Sequence, residues 1–224
     1  ILTGEEIKRQ ESSDGTTKLL VRWPDGATSE CVLIPDERRK TACISSQVGC
    51  PVQCTFCASG LAGLERNLTP GEIVEQAYRV RALCGEDRLS NIVFMGLGEP
   101  LANYDAVIRA VRIINADWGL DIGARKITVS TVGLPKQIRR LARENLQINL
   151  AISLHAPDDR LRAELIPWAK SIPIEELVAA GRDFFDKTKR EITLEYVLLG
   201  GVNDSMQNAN DLVRVCRKMR CNVN

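Results

Sequence analysis

Three of the chain's 8 cysteines fall within one short stretch, Cys50-Pro51-Val52-Gln53-Cys54-Thr55-Phe56-Cys57, a C-x3-C-x2-C spacing. Thiolates so placed on one loop can converge on a metal ion or an inorganic cluster, or serve as small buried hydrophobes. A structural zinc usually takes four ligands from paired C-x2-C knuckles or from histidines. Here the sole histidine, His155, lies far along the chain. Three thiolates on a compact loop better suit three irons of a cubane iron–sulfur cluster, leaving the fourth iron open to a ligand. A disulfide framework fits poorly, because 224 residues can bury an adequate core without covalent staples. Beyond the triplet, Gly98-Glu99, Ser130 and Ser153-Leu154-His155 bring together a glycine, a carboxylate, hydroxyls and an imidazole, types able to meet the polar groups of a small ligand. Each has an ordinary alternative: a loop turn for Gly98-Glu99-Pro100, a helix cap for Ser130, and a hydrogen-bonded structural histidine for His155. Cys43 reads singly as a core thiol, Glu30 as an exposed strand carboxylate and Asn203 as a turn former.

The elements that must position these groups alternate along the chain. Residues 18–23 and 29–34 read as antiparallel strands around Pro24-Asp25-Gly26-Ala27, and the charged stretch 36–40 reads as a linker. Strands are then expected at 41–46, 91–95, 126–130, 149–153 and 192–199, with Asn222-Val223-Asn224 opening a sixth. Between them come helices, the first opened by Thr69-Pro70-Gly71-Glu72 as a capping box, the others at 105–115, 135–144, 174–187 and 204–219. Such alternation predicts an α/β fold with a parallel sheet, in which functional groups gather beyond the C-terminal strand ends. Lys+Arg 30 against Asp+Glu 29 excludes a polybasic domain, so any RNA contact must be local. Arg38-Arg39-Lys40, Arg66 and Arg139, Arg140 and Arg143 could meet phosphate, or could be solvated charges. No apolar run reaches the ~18–20 residues of a membrane helix, and the opening residues lack the pattern of an export signal, so a cytoplasmic location is expected.

The triplet, with Thr41-Ala42-Cys43-Ile44-Ser45-Ser46-Gln47-Val48-Gly49 before it and Gly63-Leu64-Glu65-Arg66-Asn67-Leu68 after it, resembles the radical S-adenosylmethionine (SAM) superfamily. Within it the chain is similar to bacterial methyltransferases acting on adenine C2 of 23S ribosomal RNA and of transfer RNA, and to their C8-methylating relatives. Met95 to Asn103, Ser130-Thr131-Val132-Gly133, Ile152 to Pro157 and Glu195 to Asp204 extend the likeness. The resemblance implies a partial, open (β/α)6-type barrel over residues 41–224, preceded by a β-hairpin extension and linker at 1–40. It implies that Cys50, Cys54 and Cys57 hold a 4Fe-4S cluster, and that Gly98, Glu99, Ser130, Ser153, Leu154 and His155 bind SAM. Cluster and cofactor would generate a 5′-deoxyadenosyl radical, and two SAM molecules would serve methylation through a methyl-cysteine. The resemblance makes Cys43 the cysteine that helps release the RNA adduct, able to form a disulfide with the methyl-carrying cysteine, and Glu30 the proton acceptor. That second cysteine, a cofactor-contacting asparagine and an RNA-binding accessory domain lie outside these residues in the family pattern. A reducing partner such as flavodoxin and a monomeric state are further expectations. Alternatives that stay open are a remnant that binds cluster, cofactor or RNA without methylating, and a C8 methyltransferase or other radical enzyme on the same barrel.

Overall fold

The computed structural model describes residues 2–224. Three antiparallel strands come first: β1 (Glu5–Glu11), β2 (Thr17–Arg22) and β3 (Thr28–Asp36). The expected hairpin is therefore a three-stranded meander. All of β1 is exposed, charged and polar but for Ile7, with no apolar rhythm to announce it. It is anchored by pairing to β2 and by the buried Glu75 carboxylate, which accepts the Thr3 and Gly4 N–H groups at 2.7 and 2.9 Å.

The stretch read as a linker is strand, tight turn and strand. Asp36 pairs with Arg39, and β4 (Arg39–Cys43) runs back along β3 with Val32 opposite Cys43. On its other edge β4 pairs in parallel with β7 (Asn91–Phe94), and β8 (Ile127–Thr131), β9 (Asn149–Ser153), β10 (Ile192–Glu195) and β11 (Cys221–Val223) follow in order. The result is one mixed, mostly parallel nine-stranded sheet whose edges are β1 and β11, so the barrel is not closed.

Helices α1 (Pro70–Leu83), α2 (Tyr104–Asn115), α3 (Pro135–Leu141), α4 (Asp159–Leu165), α5 (Ile174–Thr188) and α6 (Met206–Cys216) connect the parallel strands. The Thr69–Glu72 capping box forms as expected: Thr69 Oγ1 accepts the Glu72 N–H at 3.2 Å, and the Glu72 carboxylate accepts the Thr69 N–H at 2.7 Å. Strand β8 alternates buried Ile127, Val129 and Thr131 with half-buried Thr128 and Ser130, and β7 does the same with Ile92 and Phe94. One face of each is sealed in the main core and the other left partly open, which is how a partial barrel keeps room for a ligand. No helix among the described residues is long and apolar enough to cross a membrane.

Several expected bounds shift. The strand expected at 192–199 ends at Glu195, because Asn203 gathers the next residues into a loop. The helix expected at 204–219 begins only after Ser205, whose hydroxyl caps the Asn208 N–H at 3.1 Å. Neither α4 nor the small sheet of β5 (Gln47–Gly49) and β6 (Leu64–Asn67) is among the expected elements.

Candidate active site

The cysteine loop is held at both ends and along its back. Strands β5 and β6 clasp its ends, and the Cys50 N–H donates to the Gly63 carbonyl at 2.9 Å. Gly49 makes the clasp possible: its φ is +73°, and a Cβ there would lie 2.0 Å from the Gly63 oxygen. Along its back the loop rests on α4, with the Thr55 N–H donating to the Leu165 carbonyl at 3.0 Å. A second small core of Val52, Val132, Ala156, Leu165 and Ile166 packs against Cys50 and Cys54.

All three loop thiols line one cavity of about 240 Å³, and Gly98, Glu99, Ser130, Ser153 and His155 line it too. Burial, then the neighbouring Cys50 and Cys57, push the Cys54 thiol up to about 12. Gly98 stands at φ +103°, where a Cβ would come within 2.7 Å of Gln47 Cβ and Ser46 Oγ. Its neighbour Glu99 is 2% exposed. The Glu99 carboxylate accepts the Leu101 N–H at 3.0 Å and the Val132 N–H at 2.8 Å, while its own N–H donates to Gln47 Oε1 at 2.8 Å. Burial raises this carboxyl to about 7 in spite of those bonds.

Ser153 and Glu195 end adjacent parallel strands in register with each other, and with Ser130, one residue before the end of β8, they face the same cavity. Sequence reasoning does not single out Glu195, since the strand expected at 192–199 puts it mid-strand; the observed end of the strand at Glu195 brings it to the cavity. His155 adopts φ +55° and sets its ring edge-on to Phe56 at 4.9 Å. Its Nδ1 accepts the Val197 N–H at 3.1 Å, which leaves the Nε2 position for the proton. Burial, then the nearby Arg162 charge, lower the imidazole to about 4, so the ring is neutral. Asn203 does more than turn the chain: 1% exposed, it donates to the His155 and Val197 carbonyls, both at 2.7 Å. Leu154 buries its side chain in the main core, donates its N–H to the Glu195 carbonyl at 3.0 Å and accepts the Ala156 N–H at 2.8 Å.

Cys43 and Glu30 stand apart from this cavity. They share one face of the sheet, since Val32, two residues after Glu30, lies opposite Cys43. Burial raises the Cys43 thiol to about 11, against a bond from the Met95 N–H that favours its thiolate. Glu30 instead pairs with Lys18 at 3.1 Å. All eight cysteines are free, so no disulfide forms within the chain. Several candidate phosphate contacts are spent internally: Arg66 on Asp25 and Glu72, Arg139 on Asp183, Arg140 on Asp105, Arg39 on Asp36 and Lys40 on Asp87.

Three thiols lining one cavity, with hydroxyl, carboxylate and imidazole groups around the same space, match the donors that a cubane cluster and a small polar ligand require. Among the described residues no group of three Cys, His, Asp or Glu side chains gathers as a single-ion site.

Residues 44–213 match the family model described as "Radical SAM superfamily". A probable dual-specificity RNA methyltransferase RlmN of Rhodopirellula baltica is 49% identical over 97% of this chain and 59% of its own length. One from Gloeobacter violaceus is 50% identical over 97% and 62%. The chain thus spans about three-fifths of the length of the curated relatives it matches. A crystal structure of a radical SAM methyltransferase from Sphaerobacter thermophilus superimposes with TM-score 0.97 at 48% identity, covering 100% of this chain and 67% of that one. Streptococcus suis SuiB bound to S-adenosylmethionine shares the fold at TM-score 0.56 and 17% identity. The chain belongs to the radical SAM superfamily.

Proposed function

We propose that this chain forms the catalytic barrel of an RlmN-type RNA methyltransferase that methylates adenine C2 in 23S ribosomal RNA, with transfer RNA as a second substrate. The observation that carries this reading is the single cavity onto which three loop thiols and a set of strand-end polar groups converge. The high identity to RlmN proteins supports the choice within the superfamily.

In this reading Cys50, Cys54 and Cys57 hold a 4Fe-4S cluster. When bound, cluster and S-adenosylmethionine supply one-electron cleavage of the sulfonium and a carbon radical. The protein's part is placement. Gly98, packed too closely on Ser46 and Gln47 for any side chain, sets its main chain at the cavity, and Glu99, fixed by Leu101 and Val132, presents a carboxylate edge for an ammonium group. The Ser130 and Ser153 hydroxyls offer bonds to ribose or carboxylate oxygens. His155, held by Val197 and Phe56, offers a neutral Nε2–H. Leu154 serves by tying the end of its strand to Glu195, between Ser153 and His155. Cys43, beside the Met95 N–H, acts as the thiol that releases the adduct, and Glu30 takes the ring proton once Lys18 yields. A low-potential carrier such as flavodoxin supplies the electron.

Anaerobic iron and sulfide analysis followed by an assay for 5′-deoxyadenosine tests the first half. Iron and sulfide in cluster proportion with cofactor cleavage are expected, and one equivalent of zinc without iron would sink the reading. Mass spectrometry of ribosomal adenine from a deletion strain tests the second half, where loss of 2-methyladenosine is expected. Loss of 8-methyladenosine instead would move the chain to the C8 enzymes.

A further inference from the structure

A buried guanidinium stands behind the cysteine loop. Arg162, on α4, is fully buried. Its Nη1 donates to the Ile172 carbonyl at 3.1 Å and its Nη2 to the Val132 carbonyl, while Nε is buried with no partner. Its hydrogen bonds go to main-chain carbonyls and, among the described residues, to no carboxylate. Asp159 on the same helix spends its Oδ1 on the Ile174 N–H at 2.7 Å. Asp159 acts on the guanidinium through space, but an interior cation with no hydrogen-bonded anion still costs several kcal/mol, and neutral carbonyls offset only part of that. A bonded counter-charge is therefore missing.

The direction in which it is missing is clear from the packing. Helix α4 carries the loop through the Thr55–Leu165 bond, and Leu165 packs in the same small core as Cys50 and Cys54. Val132, whose carbonyl holds Nη2, lines the cavity with the three thiols. Besides Asp159, the guanidinium lies near enough for its charge to act on both Cys54 and His155.

We infer that Arg162 is the buried counter-charge of the iron–sulfur cluster, a positioning residue whose fixed cation behind Cys54 stabilises the reduced state. The inference rests on the cluster reading of Cys50, Cys54 and Cys57. Three thiolates carry negative charge to the loop, and each electron taken up adds one more unit. In a low-dielectric interior a nearby fixed cation favours the more negative state, and net charge around a cluster is one of the quantities that set its potential. Arginine suits the task because it stays protonated and its guanidinium is weakly hydrated. In the step concerned one electron passes from an external reductant to the cluster. No bond of Arg162 forms or breaks, and no proton leaves it.

The test is a potentiometric titration of the anaerobically reconstituted chain, with dithionite as reductant and the reduced cluster read by electron paramagnetic resonance. Arg162→Gln and Arg162→Met should each leave about tenfold less reduced cluster at a given potential, a shift of about 59 mV to more negative values for a one-electron couple. Arg162→Lys should restore most of the wild-type potential. A folded neutral variant with the wild-type potential would overturn the inference. Failure of both neutral variants to fold would also overturn it, since the charge would then be a requirement of the fold itself. Wild-type chain that takes up neither iron nor sulfide would defeat the cluster reading, and the inference with it.

Discussion

The Val132 main-chain N–H donates to the Glu99 carboxylate at 2.8 Å, joining the segment after β8 to the segment after β7 at the wall of the cavity. The other carboxylate oxygen takes the Leu101 N–H at 3.0 Å, so this acid holds its own surroundings in place. Glu99→Ala strands two buried N–H groups and is expected to cost at least about 2 kcal/mol. Glu99→Gln keeps one acceptor oxygen and should cost less. Urea unfolding of the cofactor-free chain measures both, and an alanine variant as stable as wild type would mean that water replaces the acid.

Two glycines with similar positive φ should behave differently. Gly49 (φ +73°) faces the Gly63 carbonyl, whereas around Gly26 (φ +89°) nothing stands within 4 Å of the place an added methyl would take. Gly26→Ala should cost only the left-handed strain, about 1–2 kcal/mol. Gly49→Ala should cost more and also lower iron uptake, because the clasp of the cysteine loop must open. Thermal melts and iron analysis of the pair decide it, and equal iron contents would count against the clasp.

His155, the only histidine in the chain, can be followed without ambiguity by proton NMR. Its imidazole should stay neutral through the usual range near 6.5 and titrate near 4 in the cofactor-free chain. Between those values the unfolded chain binds a proton that the folded chain refuses. Stability should therefore fall as pH drops from about 6.5 toward about 4. A midpoint near 6.5 in the folded protein would show that the ring is solvated.

Glu75 has the opposite character. Burial works to raise its carboxyl, but the Thr3 and Gly4 N–H groups and Arg79 outweigh it and bring the group below its ordinary value. Its contribution is thus present above the unfolded value of about 4.3 and is lost as pH falls through the folded one. Glu75→Gln should destabilise the chain by about 2 kcal/mol at neutral pH, with the gap to wild type closing below about pH 4. A gap independent of pH would remove the charge from the explanation.

What the sequence made legible follows from the length and rhythm of each element. The parallel strands and long helices carry apolar runs and caps, as at Thr69 and Glu72, and these can be read locally. Strand β1 presents charge on both faces, and α4 spans only seven residues, so neither offers a period to detect. In the site, cysteine spacing announced the loop, and strand ends pointed to Ser130, Ser153 and His155. The tie from Glu99 to Val132 and the burial of Arg162 depend on contacts 33 and 30 residues apart in sequence, for which no local pattern exists.

The pairing of Val32 with Cys43 makes the antiparallel meander and the parallel strands one hydrogen-bonded fabric. A pull on β3 along its axis therefore reaches β4 as shear across several ladder bonds loaded together, the geometry in which a sheet is stiffest. The thiol at the end of β4 moves with the meander, so a macromolecule gripping those first strands would also be setting the position of Cys43.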